Sequence, residues 1–129
     1  MNVLLFARAY LLLIRIELLI RFRSLKAVHS LVKRQPVATN RARRSVKVAD
    51  LCRAIDLAAM LYWKTVLCLQ RSAAATVLLR SHGWPAEMVI GVQILPFQSH
   101  AWVEIDGMVV NDKPYMREIY RVLERCEAD

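Results

Sequence analysis

The hydrophobic pattern changes period at one place, the segment His82-Gly83-Trp84-Pro85, and that change limits the folds open to the chain. Before it, apolar side chains recur at helical spacing; after it, short runs rich in Val and Ile have strand character. Helices first and an antiparallel meander afterwards make an α+β architecture, since a parallel sheet would need helices alternating with strands. Residues 3–20 put Leu5, Ala9, Leu12, Ile16 and Leu19 on one helical face, and Leu4, Leu11 and Leu18 on another beside Arg8 and Arg15. A helix apolar nearly all round must be covered by protein or lipid. The basic pattern continues through Arg21, Arg23, Lys26, Lys33 and Arg34 until Pro36 breaks the helix. A second helix is expected over 46–63, with Cys52 on its apolar stripe as a buried small residue. The next starts from Thr65 as N-cap, runs to Ser81 and stops at His82-Gly83. Strands are expected over 87–93, 100–105 and 108–111, with Asp106-Gly107 as the turn. Residues 119–123 fit either a strand or a short helix.

Charge divides the same chain differently. Its 129 residues suit one domain. Residues 1–47 carry a balance of +10, with Glu17 their sole acid, whereas residues 48–129 balance at −2. The expected organisation is therefore a basic, apolar helical extension with a linker over 1–47 and a compact domain over 48–129. An apolar content of 57% excludes disorder and low-complexity character. Arg8, Arg15 and Glu17 argue against a transmembrane span, because each central charge costs roughly 2.5–3.5 kcal/mol on insertion. Peripheral contact of the N-terminal helices with an anionic membrane stays open. The linker arginines Arg41, Arg43 and Arg44 have no interleaved aromatics, so nucleic acid is not the expected partner. Three cysteines, no CxxC pair and no secretory signal point to a reducing, cytoplasmic setting.

Cys68, His100 and Asp112 follow one another in an order that suits cysteine acyl chemistry. A thiolate attacks a carbonyl, an imidazole holds the thiolate and later protonates the leaving amine, and a carboxylate orients the ring. Cys68 falls in the first turn of its helix, where the N-terminal dipole favours a thiolate. The hairpin supplies a geometric expectation. A two-residue loop at Asp106-Gly107 would pair Ala101 with Asp112, on the wrong face from His100. A three-residue loop from Ile105 to Gly107, with a left-handed Gly107 in a bulge, would instead set Asp112 opposite His100, with Cβ atoms about 4.5–5.5 Å apart. Glu104 shares the face of His100 but lies roughly 13 Å along the strand. The backbone N–H of Cys68 is the default oxyanion donor, with Gln70 and Gln93 as polar candidates. His29 and His82 read as surface residues and Cys126 as an incidental thiol. A zinc site built from Cys68, His100 and Asp112 would lack a second close-spaced ligand pair.

The pieces Cys68-Leu69-Gln70-Arg71-Ser72, HGWPAEMVIGV (82–92), HAWVEIDG (100–107) and Asn111-Asp112 resemble the lasso-peptide leader peptidases. These form the peptidase half of the lasso-peptide biosynthesis B proteins, in the transglutaminase-like, papain-related superfamily. The resemblance covers roughly residues 48–125, and the apolar, basic N-terminal helices are similar as well. It implies a transglutaminase-like core without cofactor or metal, in which Cys68 is the nucleophile, His100 the general base and acid, and Asp112 the orienting carboxylate. The implied reaction hydrolyses the leader–core bond of a ribosomal precursor peptide, with Thr preferred at the penultimate leader position. The implied partners are the precursor's leader region, a separate leader-binding protein and an ATP-dependent cyclase. Trp102 and Glu104 belong to the motif as packing and strand residues, and Arg71 as a brace for the helix. Two alternatives stay open: an acyltransferase using the same three residues, and a non-catalytic subunit that docks on a membrane or partner.

Overall fold

A computed structural model describes residues 2–39 and 46–127. The linker arginines Arg41, Arg43 and Arg44 lie outside the described residues. The architecture is α+β, helices first. Helices α1 (Val3–Phe22), α2 (Leu25–Arg34), α3 (Val48–Met60) and α4 (Cys68–Ser81) precede strands β1 (Ala86–Gln93), β2 (Gln98–Ile105) and β3 (Met108–Val109). A short helix α5 (Met116–Ile119) and strand β4 (Arg121–Cys126) follow. The expected helix up to Pro36 is divided at Ser24, whose side chain caps α2 by accepting a hydrogen bond from the Ala27 N–H at 3.3 Å. The ambiguous segment 119–123 is also divided: Ile119 closes α5, Tyr120 links the two elements, and Arg121 to Leu123 belong to β4.

α1 buries Ala9, Leu13 and Ile16 completely against α3 and α4. Its opposite side leaves Leu4, Leu11, Leu18 and Phe22 exposed. No helix among the described residues is long and apolar enough to cross a membrane. α4 is the centre of the molecule. Gln70 and every residue from Ser72 to Arg80 are buried, and Ala73-Ala74-Ala75 let α1, α3 and the sheet approach closely. Arg80 at its end is fully buried, yet its guanidinium donates to the carbonyls of Ala86 (2.8 Å), Cys126 (2.7 Å) and Val32. One cation thus ties the end of α2 to the first residue of β1 and the last of β4. Burying it is tolerable because those carbonyls replace water. His82, expected on the surface, is buried instead, with Nδ1 3.0 Å from the Leu78 carbonyl and 3.2 Å from Ser81 Oγ. Gly83 takes the left-handed conformation right after the helix (φ 86°), so the chain folds His82 back onto α4.

The antiparallel sheet has the order β3-β2-β1-β4. Ala86, Met88 and Val103 face the helices and join the main core. Val89 and Trp102 point to the other face, where Met116 and Tyr120 cover them. The β2–β3 hairpin corrects one expectation. Ile105 pairs with Met108 and Glu104 with Val109, so the loop is the two residues Asp106-Gly107 and carries no bulge. Both have positive φ (50° and 80°), the conformation of a type I′ turn, whose twist matches that of the flanking strands.

Candidate active site

The start of α4 is uncapped by any side chain. Leu67, not Thr65, holds the N-cap position, and Cys68 is the first helical residue. Inside the helix the earliest backbone bond from this end runs from the Arg71 N–H to the Leu67 carbonyl at 2.9 Å. The N–H groups of Cys68, Leu69 and Gln70 therefore point out of the helix end, where a developing negative charge is stabilised. The half-buried Cys68 presents its thiol at that end. Cys52 and Cys126 differ: both are buried, and burial followed by the nearby Asp56 pushes the Cys52 thiol up to about 11.

One turn after Cys68, Ser72 fastens α4 to the edge of β2. Its hydroxyl donates to the Ala101 carbonyl at 3.0 Å and accepts from Asn111 Nδ2 at 3.2 Å. Cys68 is thereby set about one helical turn, roughly 5.4 Å, from a contact with the residue that follows His100. Asn111 also explains how Asp112 reaches His100 despite the two-residue loop. The ladder persists to the Val110 N–H, which bonds the Val103 carbonyl at 2.9 Å. The next bond comes from a side chain: Asn111 Oδ1 accepts the Val103 N–H at 2.7 Å. The side chain stands in for the strand, the backbone leaves the ladder, and Asp112 is no longer bound to the register that would set it opposite Ala101.

Asp112 Oδ2 lies 2.7 Å from His100 Nε2, and both side chains are mostly buried. Its other oxygen accepts the Lys113 N–H at 2.8 Å. Burial would raise the Asp112 carboxyl. The bonds from His100 and Lys113, and the positive charges of His100 and Arg71, outweigh burial and hold it below the ordinary aspartate range. Arg71, one turn from Cys68, also lies 4.0 Å from Asp56, on a side chain half exposed to water. Among the described residues its buried Nε has no hydrogen-bond partner.

The imidazole of His100 is packed from its own face of the sheet. Tyr120 stacks on it at 5.2 Å and Trp102 at 6.2 Å, both tilted by 26°. Gly91, the β1 partner of His100, makes room for this cluster: a Cβ there would sit 2.8 Å from the Trp102 ring and 2.9 Å from Tyr120 Cβ. The Trp102 indole donates to Glu104 at 2.8 Å. Glu104 is 1% exposed and also accepts from Arg117 (2.9 and 3.1 Å) and Arg125 (3.0 Å). Burial would raise its carboxyl too, but the indole and the two guanidinium groups hold it below the usual glutamate range. Glu104 and Trp102 are thus the packing residues the motif suggests, and their network secures the wall behind His100.

Gln70 donates to the Leu13 carbonyl at 2.9 Å and Gln93 to the Pro96 carbonyl at 3.2 Å, so both amides serve the scaffold. A cleft of about 360 Å³ opens beside the helix start, lined by Glu17, Ile20, Lys64, Thr65, Leu67 and Gln70. In it the largely buried Glu17 faces Lys64 at 3.5 Å. Among the described residues, the side chains that bring three metal-ligand atoms within 4.8 Å of one another are His29, Glu124 and Cys126, not the Cys68 group. Ser72, Asn111 and Tyr120 escaped sequence reasoning as site residues. The local signals were the one-turn spacing of Ser72 from Cys68 and the Asn111-Asp112 motif piece; the role of Tyr120 depends on the sheet.

A family model described as the Transglutaminase-like superfamily matches residues 11–125. Microcin J25-processing protein McjB of Escherichia coli is 46% identical over 56 residues, a stretch that is 43% of this chain and 27% of the relative. The chain thus matches well under two thirds of that relative's length. No solved structure matches.

Proposed function

The chain belongs to the transglutaminase-like superfamily, and from that premise we propose that it is a cysteine peptidase acting in lasso-peptide maturation, cleaving a precursor between leader and core. The observation that carries the reading is the 2.7 Å bond between His100 Nε2 and Asp112, on a strand pinned through Ser72 to the helix that begins with Cys68. With Nε2–H committed to the carboxylate, Nδ1 is the ring nitrogen available to take the thiol proton. The Cys68 thiolate attacks the scissile carbonyl. The oxyanion forms at the open N–H groups of the α4 start, the Cys68 N–H among them. His100 then donates its proton to the leaving amine, which departs as the new N-terminus of the core peptide. Water, deprotonated by His100, attacks the thioester carbonyl and releases the leader with a free carboxyl group, returning Cys68 to its starting state. Asp112 keeps the imidazole in the required tautomer and stabilises its cationic form. The cleft lined by Leu67, the residue before Cys68, is the place proposed for the peptide. The relative's name, a processing protein for microcin J25, supports the choice of substrate class. The proposed partners are the precursor's leader region, a separate leader-binding protein and an ATP-dependent cyclase.

The test is mass spectrometry of precursor peptide, leader-binding protein and this chain. The wild type is expected to yield two fragments whose summed mass exceeds the precursor by one water, and Cys68→Ala none. Cleavage by Cys68→Ala at the wild-type rate overturns the nucleophile assignment. A product that retains an added amine instead identifies the acyltransferase. Undiminished processing by His100→Ala leaves only a docking role.

A further inference from the structure

Away from the candidate active site, β4 carries an irregularity that re-aims two side chains. Gly91 pairs with Val122, but its neighbour Ile90 pairs with Glu124, so Leu123 is an extra residue in a bulge. Without the bulge, Val122, Glu124 and Cys126 would share one face. With it, Val122 turns to the Trp102 side, while Glu124 and Cys126 lie opposite Ile90 and Met88 on the helix side. α2 packs on β4 there and supplies His29, whose Nδ1 lies 3.6 Å from Glu124 Oε1. The Cys126 sulfur completes a set in which all three ligand atoms lie within 4.8 Å of one another.

We propose that His29, Glu124 and Cys126 form a binding site for a divalent cation of the zinc class, clipping α2 to the end of β4. Bonds of about 2.0–2.3 Å to nitrogen, oxygen and sulfur in a tetrahedron need ligand atoms roughly 3.3–3.8 Å apart, which the His29–Glu124 spacing already meets. The donor set of imidazole, carboxylate and thiolate favours zinc over calcium or magnesium, which prefer oxygen alone. One carboxylate and one thiolate neutralise the ion. Cys126 is fully buried, whereas the side chains of His29 and Glu124 are 24% and 41% exposed, so the ion would enter from their side and keep a water as fourth ligand. Binding breaks the S–H bond, forms the metal–sulfur bond and releases one proton to solvent.

The experiment titrates the full chain carrying Cys68→Ala, which removes the active-site thiol as a ligand, with Zn²⁺ and with Co²⁺ as a spectroscopic probe. One equivalent of Co²⁺ is expected to bind with a thiolate-to-metal charge-transfer band, and Cys126→Ser to abolish that band. His29→Ala and Glu124→Gln, both at partly exposed side chains, should each weaken Zn²⁺ at least about tenfold, the loss seen even for groups that only orient a ligand. Circular dichroism confirms that each variant is folded; should Cys126→Ser fail to fold, the other two variants decide. Absence of the band in the Cys68→Ala protein overturns the proposal. So does a band that survives Cys126→Ser, or an unchanged Zn²⁺ affinity in both His29→Ala and Glu124→Gln.

Discussion

Asp112 reaches His100 because a neighbouring side chain, Asn111, ends the strand that would have carried it to the wrong place. The pair forms at 2.7 Å by departure from the ladder, where cross-strand opposition had been expected. Both arguments name the same two residues, but their mechanical requirements differ. Opposition would need a bulged loop, whereas the observed route needs an amide that can both accept from Val103 and donate to Ser72. The proposed role of Asp112 gives a sharp expectation. Asp112→Asn keeps the size of the side chain and removes its charge, so kcat for precursor cleavage should fall by about 10²–10⁴ with little change in KM. Single-turnover kinetics check it, and a loss confined to KM would assign Asp112 to substrate binding.

Elements are set by their ends and by the places where two of them come too close for a side chain. Ser24 divides the N-terminal basic segment into two helices, and Leu67 leaves the start of α4 open. β1 and β4 approach each other at Gly91 so closely that a Cβ would meet the Arg121 carbonyl at 3.0 Å as well as Trp102 and Tyr120. The obstacles include backbone and a ring locked by its bond to Glu104, so they cannot simply swing away. Gly91→Ala should therefore cost about 1–3 kcal/mol in urea unfolding and alter the near-ultraviolet dichroism of Trp102. Unchanged stability would show that the β1–β4 contact is looser than the structure has it. Sequence periodicity located α1, α3, α4, β1 and β2, but it ran α2 into α1 as one helix. It could not divide 119–123, because helix and strand share those residues and a helical stripe over so few positions is indistinguishable from an edge strand.

Across the whole molecule, the buried charges set the response to acid. Glu104 receives two arginines and an indole, and Asp112 a histidine, so both carboxyls ionise more easily in the folded chain than in the unfolded one. A lowered folded value stabilises above the ordinary carboxylate range and is lost as pH falls through that lowered value. The melting temperature should thus decline steeply between about pH 5 and about pH 3. Glu104→Gln should remove about 3 kcal/mol at neutral pH, because Arg117 and Arg125 lose a buried partner, and make the acid decline shallower. Calorimetry across that range checks both; equal slopes in the two proteins would take Glu104 out of the account.

The N-terminal helices and the rest of the chain share one core, in which Leu13, Ile16 and Val28 meet Ala74, Leu78 and Met88. The sequence alone determined the α+β order, the helix that begins near Cys68, and the residue types able to perform acyl chemistry. Those follow from local periodicity, capping and turn residues, and from the short list of side chains with the needed chemistry. Tertiary structure decided which turn closes the β2–β3 hairpin, how Asp112 approaches His100, that His82 is buried, and that His29 meets Glu124 and Cys126. Each of these depends on contacts between segments far apart in the chain, or on one side chain substituting for backbone. Neither leaves a repeat or a spacing in the sequence.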